Sequence, residues 1–191
     1  EYETLFFGTG DREAPKITTN IDRLYALKDK NTGTVLKEID LVNVTNYYSL
    51  SQGNQATMLN DIKTKSGWYI ALEDLGEKCL ATPVIFRKVA YYTTFAPTFG
   101  DVSLDPCFVG EGTAKVYELN YATGEAAFNL DLTNDTSGTV IAKSDRSKVI
   151  GTAIPSGVVI TVIGGKVTAY IGVGGGVVKP QTWGTKSLFP L

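Results

Sequence analysis

A short segment written twice constrains the fold of this chain more than any other feature. Leu24-Tyr25-Ala26-Leu27-Lys28-Asp29-Lys30-Asn31-Thr32-Gly33 returns as Val116-Tyr117-Glu118-Leu119-Asn120-Tyr121-Ala122-Thr123-Gly124. Each copy is a run of strand-forming residues that enters a polar turn ending in Thr-Gly, and the extra residue in the first turn reads as a bulge. Glycine closes both turns because the backbone there is expected to take a positive φ, which only glycine reaches without steric cost. Each copy is followed by a further apolar stretch, 34–40 and 126–131, which the pattern predicts as the returning strand.

Two weaker echoes support a repeated β unit. Leu5-Phe6-Phe7-Gly8-Thr9-Gly10 resembles Ala169-Tyr170-Ile171-Gly172-Val173-Gly174, an apolar run followed by Gly-x-Gly, and this suits a strand whose backbone is crowded by a neighbour. Pro83 before Val84-Ile85-Phe86 matches Pro155 before Val158-Val159-Ile160, and proline is tolerated at the start of a strand, where no ladder donor is lost. Twenty glycines and ten tyrosines beside a single methionine agree with turns and strands.

Together these echoes predict an all-β chain built as part of a β-propeller, with four-stranded antiparallel blades of about 40–50 residues. Three whole or partial blades are expected, over about 1–47, 67–132 and 149–183, within one region spanning 1–191. The first keeps strands 4–9, 22–28 and 34–40. The middle one is complete, with strands near 83–87, 89–96, 114–120 and 126–131. The third has 157–163 and 166–173. Propellers usually need about four to eight blades, so the ring must be completed by further sequence or by a partner. One short helix is predicted near 54–65, with Met58, Leu59 and Ile62 on one face and Gly67 as its stop. The chain enters its first strand with no basic start or cleavage site and reads as a piece of something longer.

Composition narrows the chemistry. The chain contains no histidine, which removes the usual general base, the usual zinc nitrogen ligand and every Ser-His-Asp or Cys-His device. A formal net charge of -2 gives no broad attraction to nucleic acid. No apolar run reaches the roughly 18 residues of a membrane-spanning helix. Cys79 and Cys107 can form a disulfide, be two buried thiols or be unrelated; a bridge would stabilise the fold by about 3.5 kcal/mol in the loop-entropy account and would imply an oxidising compartment.

Candidate sites are few. The loop over 96–112 is long, carries Cys107, and offers Asp101, Asp105 and Phe108 as interaction residues. Asp131-Leu132-Thr133-Asn134-Asp135-Thr136-Ser137-Gly138 supplies oxygen ligands for calcium, but threonine stands at the central glycine position of a calcium loop and Ala142 at its bidentate glutamate, so a polar turn is favoured. Gly172-Val173-Gly174-Gly175-Gly176 opens no helix and is favoured as a crowded strand end over a phosphate cradle. Asp11-Arg12-Glu13 and Ser144-Asp145-Arg146 are expected to tie neighbouring blades through Arg–carboxylate contacts. Tyr47, Tyr48, Trp68, Tyr69 and Trp183 are expected mainly in packing rather than as a binding surface.

Several strings taken in order resemble one family. Phe7-Gly8-Thr9-Gly10-Asp11-Arg12-Glu13, Gly67-Trp68-Tyr69-Ile70-Ala71-Leu72, Gly76-Glu77-Lys78, Pro83, Thr93-Thr94-Phe95-Ala96-Pro97, Asp105-Pro106-Cys107, Tyr117 through Gly124, Ser144-Asp145-Arg146 and Gly151 to Pro155-Ser156 look like the C-terminal propeller region of PilY-type pilus proteins. That resemblance covers nearly the whole chain. It implies a non-enzymatic module of a type IV pilus assembly and tip-adhesin protein that reaches the cell surface through the periplasm and outer membrane. Implied partners are pilus subunits or minor pilins, a host or abiotic surface and the remaining propeller blades. It also favours the Cys79–Cys107 bridge. Some family members bind calcium through an Asp-rich loop, of which this chain has no clean copy, and a calcium-binding regulatory module is the alternative reading. The Leu-Tyr-Ala-Leu…Thr-Gly repeat alone resembles quinoprotein blades, which would imply a quinone cofactor and alcohol oxidation. No cofactor motif accompanies it.

Overall fold

The computed structural model describes residues 1–98, 112–136, 138–163, 166–174 and 178–182. Its strands are β1 (Glu3–Gly8), β2 (Arg23–Asp29), β3 (Val42–Asn43), β4 (Gly67–Ala71), β5 (Lys78–Cys79), β6 (Val84–Phe86), β7 (Val89–Pro97), β8 (Gly112–Asn120), β9 (Ser147–Gly151), β10 (Val159–Ile163), β11 (Lys166–Gly172) and β12 (Val178–Thr182). One α-helix, α1 (Gln52–Thr64), interrupts them, along with short 3-10 turns. The chain is thus mostly β, in three small sheets, and none closes on itself among the described residues.

The first sheet runs β1-β2-β4-β3, with β1, β2 and β4 antiparallel and β3 parallel to β4. The second runs β5-β7-β8-β9, with β6 also paired to β7. The third runs β10-β11-β12, antiparallel throughout. Strand alternation decides how they stack. Leu24 and Ala26 of β2 and Trp68 and Ile70 of β4 turn one way, onto Ala90, Tyr92, Tyr117 and Leu119 of the second sheet. Val89, Tyr91 and Val116 leave the opposite face of that second sheet and meet Val158, Ala169 and Ile171. The middle sheet is therefore covered on both sides, and all nine residues of β7 are buried.

Hydroxyls pin the stack at its interfaces. Tyr92 Oη donates to the Tyr25 carbonyl oxygen at 2.9 Å, joining the second sheet to the first. Thr93 Oγ1 donates to the Ser156 carbonyl at 2.9 Å, joining it to the segment before β10. Each satisfies a polar group that dry packing would otherwise strand.

Local expectations hold where they rest on local chemistry. Gly33 and Gly124 take φ of 68° and 71°, as the Thr-Gly turns require. The helix lies within two residues of its expected start, with Ile62 buried and Met58 and Leu59 packed against the first core. Gly67 does not stop it. Lys65 is the C-cap, and Gly67 opens β4 at φ 132°, where any Cβ would run into the Ala26 carbonyl.

The two returning strands are corrected. Residues 34–40 form no strand: Val35 and Ile39 stay exposed and a 3-10 turn occupies Glu38–Asp40, with Lys37 N–H donating to Asp40 at 2.8 Å. The place beside β2 goes to β4, which buries Trp68 and Ile70 there. That choice follows apolar area, which Thr34-Val35-Leu36-Lys37 cannot match. Residues 126–131 start a second hairpin and leave it: Ala127 N–H reaches the Glu118 carbonyl, and then Leu130 and Asp131 N–H both turn onto Asp145. β9 fills the vacated edge of β8, with a register shift between Ala114 and Lys115.

Candidate functional site

A cleft of about 270 Å³ opens between the ends of the first and second sheets. Its walls are Ile70, Ala71 and the turn after β4 on one side, and β8, β9 and the 3-10 turn Lys143–Arg146 on the other. Six charges converge on it: Glu73, Asp74 and Glu77 against Lys115, Lys143 and Arg146.

Glu77 is the floor. Its carboxylate is almost wholly buried, accepting from Thr94 Oγ1 at 2.6 Å and Tyr117 Oη at 2.9 Å, with Lys115 Nζ at 3.4 Å. Lys115 also meets Asp74 at 2.6 Å. Burial alone would lower the Lys115 ammonium, but Asp74 and Glu77 outweigh it and hold its pKa above the usual lysine range. Tyr117 is pushed far above the ordinary tyrosine range by burial and by the Glu77 charge beside it. Lys143 pairs with Glu73 at 2.5 Å across the rim. That exposed pair contributes little to stability.

Asp145 and Arg146 are both buried and bind backbone rather than each other: Arg146 reaches the segment after β3 of the first sheet, while Asp145 holds the loop that precedes it. Arg146 Nη1 and Nη2 donate to the carbonyls of Thr45 and Val44 at 2.9 and 2.8 Å. Asp145 Oδ1 accepts from Leu130 and Asp131 N–H and Oδ2 from Ala142 N–H, each at 2.7 Å. The guanidinium also lies 5.0 Å from the Tyr48 ring centroid. Burial lowers the Arg146 pKa, opposed by the surrounding tyrosines and carboxylates. The expected Arg–carboxylate contact is thus corrected to an Arg–carbonyl clamp. Arg12 behaves alike, donating to the Leu80 carbonyl at 3.0 Å.

Other sequence candidates separate. Asp131 caps the 3-10 turn Leu132–Asn134 by accepting from Thr133, whose hydrogen bonds, with that of Ser144, hold the Asp131 carboxyl below the usual range. Asp135 accepts from Asn129 Nδ2 at 2.5 Å and Val140 N–H at 2.6 Å. These carboxylates are occupied in building turns. Among the described residues no three cysteine, aspartate or glutamate side chains are placed so that together they could hold a metal ion. Cys79 is a buried free thiol whose pKa burial raises to about 11; Sγ donates to the Ala81 carbonyl at 3.4 Å. Gly8 packs on it so closely that a methyl there would clash with Cys79 Cβ and Sγ, the backbone crowding expected of that glycine. Cys107, Asp101, Asp105, Phe108 and Trp183 lie outside the described residues. Trp68 and Tyr47 are core, as expected, while Tyr48 and Tyr69 are half-buried.

One surface escaped the sequence reading. The outward face of the first sheet carries a row of rings, Phe7 stacked on Tyr25 at 4.9 Å and Tyr25 tilted against Tyr69 at 5.8 Å, closed by Arg23 over Tyr69. Leu5 and Phe7 are 50% and 38% exposed beside it. Cross-strand register makes the row, Phe7 opposite Tyr25 and Tyr25 opposite Tyr69. The signal in sequence was the alternation in β1, whose Leu5 and Phe7 share one face, but its partner in β4 depended on the strand order.

No helix among the described residues is long and apolar enough to cross a membrane. No protein-family model, no curated protein and no solved structure significantly matches the chain.

Proposed function

We propose that this chain is a non-enzymatic module of β-propeller type that works in type IV pilus assembly and surface adhesion, acting at the cell surface. The observation that carries the reading is the face-on-face stacking of three small sheets with the middle one buried on both sides. Successive blades pack in that manner. The aromatic row on the outward face of the first sheet supports it further, because a blade inside a ring meets another blade there.

The charged cleft fits a scaffold better than a catalyst. Glu77 and Asp145 each take several hydrogen bonds from fixed donors, and Lys115 is locked between two carboxylates. These groups hold turns and strands in place, while catalysis asks for an acid or base free to exchange its proton with substrate. The ordered strings that resemble PilY-type proteins supply the pilus assignment, with pilus subunits or minor pilins and an attachment surface as partners.

The test is a deletion of the gene followed by counts of surface pili, twitching motility and attachment. All three are expected to fall and to return on complementation. Complementation by a Phe7→Ser/Tyr69→Ser variant is expected to restore them poorly while the protein is still made. Unchanged pili, motility and attachment in the deletion strain would overturn the assignment.

A further inference from the structure

A second groove, of about 350 Å³, lies away from the charged cleft, between the start of β1, the end of β2, helix α1 and the turn after β8. Its lining is mostly apolar. Trp68 and Ile62 form the floor, and Leu59, Tyr2 and Tyr121 stand around it. Trp68 is fixed in place, its indole N–H donating to the Tyr121 carbonyl at 3.2 Å. A groove of this size, rigid below and apolar at the walls, has the dimensions of a small-molecule site.

Its charge is one-sided. Lys28 and Lys63 line it, and no aspartate or glutamate does. Among the described residues neither ammonium has a carboxylate within 4.0 Å. Lys63 reaches only the Asn60 side-chain oxygen, at 2.9 Å. Lys28 donates to the Ile62 carbonyl and lies over the Tyr2 ring, 5.6 Å from its centroid. The contrast with the charged cleft is direct. There each lysine faces carboxylates, whereas here two positive charges border an apolar groove and meet only neutral partners. Burial of the Lys28 amine, aided by nearby Lys30, lowers its pKa, as expected of a cation whose counter-charge is missing.

We propose that this groove binds a small carboxylate with an aromatic or alkyl body, the body lying on Trp68, Ile62 and Leu59 and the carboxylate between Lys28 and Lys63. Each of the two ammonium groups can donate to one of the two carboxylate oxygens, and the groove is lined by no arginine of the kind whose fork favours phosphate. The site goes beyond the pilus assignment and stands on its own geometry.

The experiment is a titration of the isotope-labelled full chain with hydrocinnamate, followed by amide and indole N–H chemical shifts. Hydrocinnamyl alcohol serves as the neutral isostere. Hydrocinnamate is expected to saturate shifts of Trp68, Tyr121, Thr123 and Lys28, and the alcohol to bind about tenfold more weakly. Lys63→Gln, an exposed change that leaves the core intact, is expected to weaken hydrocinnamate about threefold to tenfold and leave the alcohol unaffected. Added salt should weaken the acid and not the alcohol. Three results would each overturn the proposal: no saturable shift at millimolar hydrocinnamate, equal binding of acid and alcohol, or shifts centred on Lys115 and Lys143 instead.

Discussion

Arg146 donates from Nη2 to the carbonyl oxygen of Val44 at 2.8 Å, joining the turn before β9 to the segment that follows β3. Nη1 does the same for Thr45, so a single buried guanidinium satisfies two buried carbonyls on another sheet. Arg146→Ala would take the guanidinium from the Thr45 carbonyl, leave the Val44 carbonyl with Tyr47 N–H alone, and remove the cation from the Tyr48 face. The expected loss is about 2 kcal/mol, from one buried acceptor left unpaired and the loss of two charge-assisted hydrogen bonds, with partial relaxation. Urea unfolding monitored by circular dichroism measures it. A midpoint unchanged from the parent chain would show that the clamp contributes nothing.

Glu77 permits a graded test, because its two hydroxyl donors share one oxygen. Thr94 and Tyr117 both reach Oε1, and Lys115 approaches Oε2. Glu77→Gln keeps an acceptor at the first oxygen and should cost about 1 kcal/mol. Glu77→Ala strands both hydroxyls and leaves Lys115 with Asp74 alone, and should cost about 3 kcal/mol. The order of the two unfolding midpoints carries the information. Equal losses would mean that the carboxylate charge, rather than the hydroxyl network, is what the site needs.

What could be read in the sequence divides along a physical line. Hairpins and turn glycines are local, so β1, β7, β8 and the positive φ at Gly33 and Gly124 follow from neighbouring residues. The third strand of the first sheet is not local. Thr34-Val35-Leu36 sits closer in sequence to β2 than Trp68-Tyr69-Ile70 does, yet the latter buries more apolar area and takes the place. Ser144-Asp145-Arg146 was legible as a tie, while its partners, carbonyls about a hundred residues away, were not. Glu77 and Lys78 carried no sign of burial, since a charged pair after Gly76 is the ordinary composition of an exposed turn. Only the stack of sheets above them encloses them.

The turn between β6 and β7 holds two non-glycine residues, Arg87 and Lys88, at φ of 47° and 66°. Two consecutive left-handed residues make the two-residue hairpin whose twist suits the flanking strands, and Asn-Gly is the pair that adopts it at least cost. The double change Arg87→Asn and Lys88→Gly should therefore stabilise the chain by about 1 kcal/mol. The Lys88 carbonyl that accepts from Tyr121 N–H survives the change. The loss of the Arg87 guanidinium over the Phe86 ring subtracts a little. A thermal midpoint that falls would show that the side chains of this turn, and not its backbone, set its stability.

The buried tyrosines give the chain a defined alkaline limit. Burial, with Glu125 nearby, raises Tyr47 to about 12 from an ordinary 10.0, and burial raises Cys79 to about 11 from 9.0. Tyr92 and Tyr117 move further in the same direction, through burial first and the nearby Cys79 and Glu77 charges second. For each group the folded chain holds the proton more tightly than the unfolded chain does. The stability they contribute is fully present below the unfolded values and is lost as pH rises through the folded ones. Lys115, raised by Asp74 and Glu77 against its burial, acts in the same sense, and Lys28, lowered chiefly by burial, acts against it. The thermal midpoint should therefore stay level until about pH 9, then fall steadily toward pH 12, with the late phase of tyrosinate absorbance appearing together with unfolding. Tyr47→Phe removes one titrating group from a buried position and should shallow that fall. A midpoint that stays level to pH 12, or tyrosines that all ionise near the ordinary value while the chain remains folded, would mean that these hydroxyls are open to water.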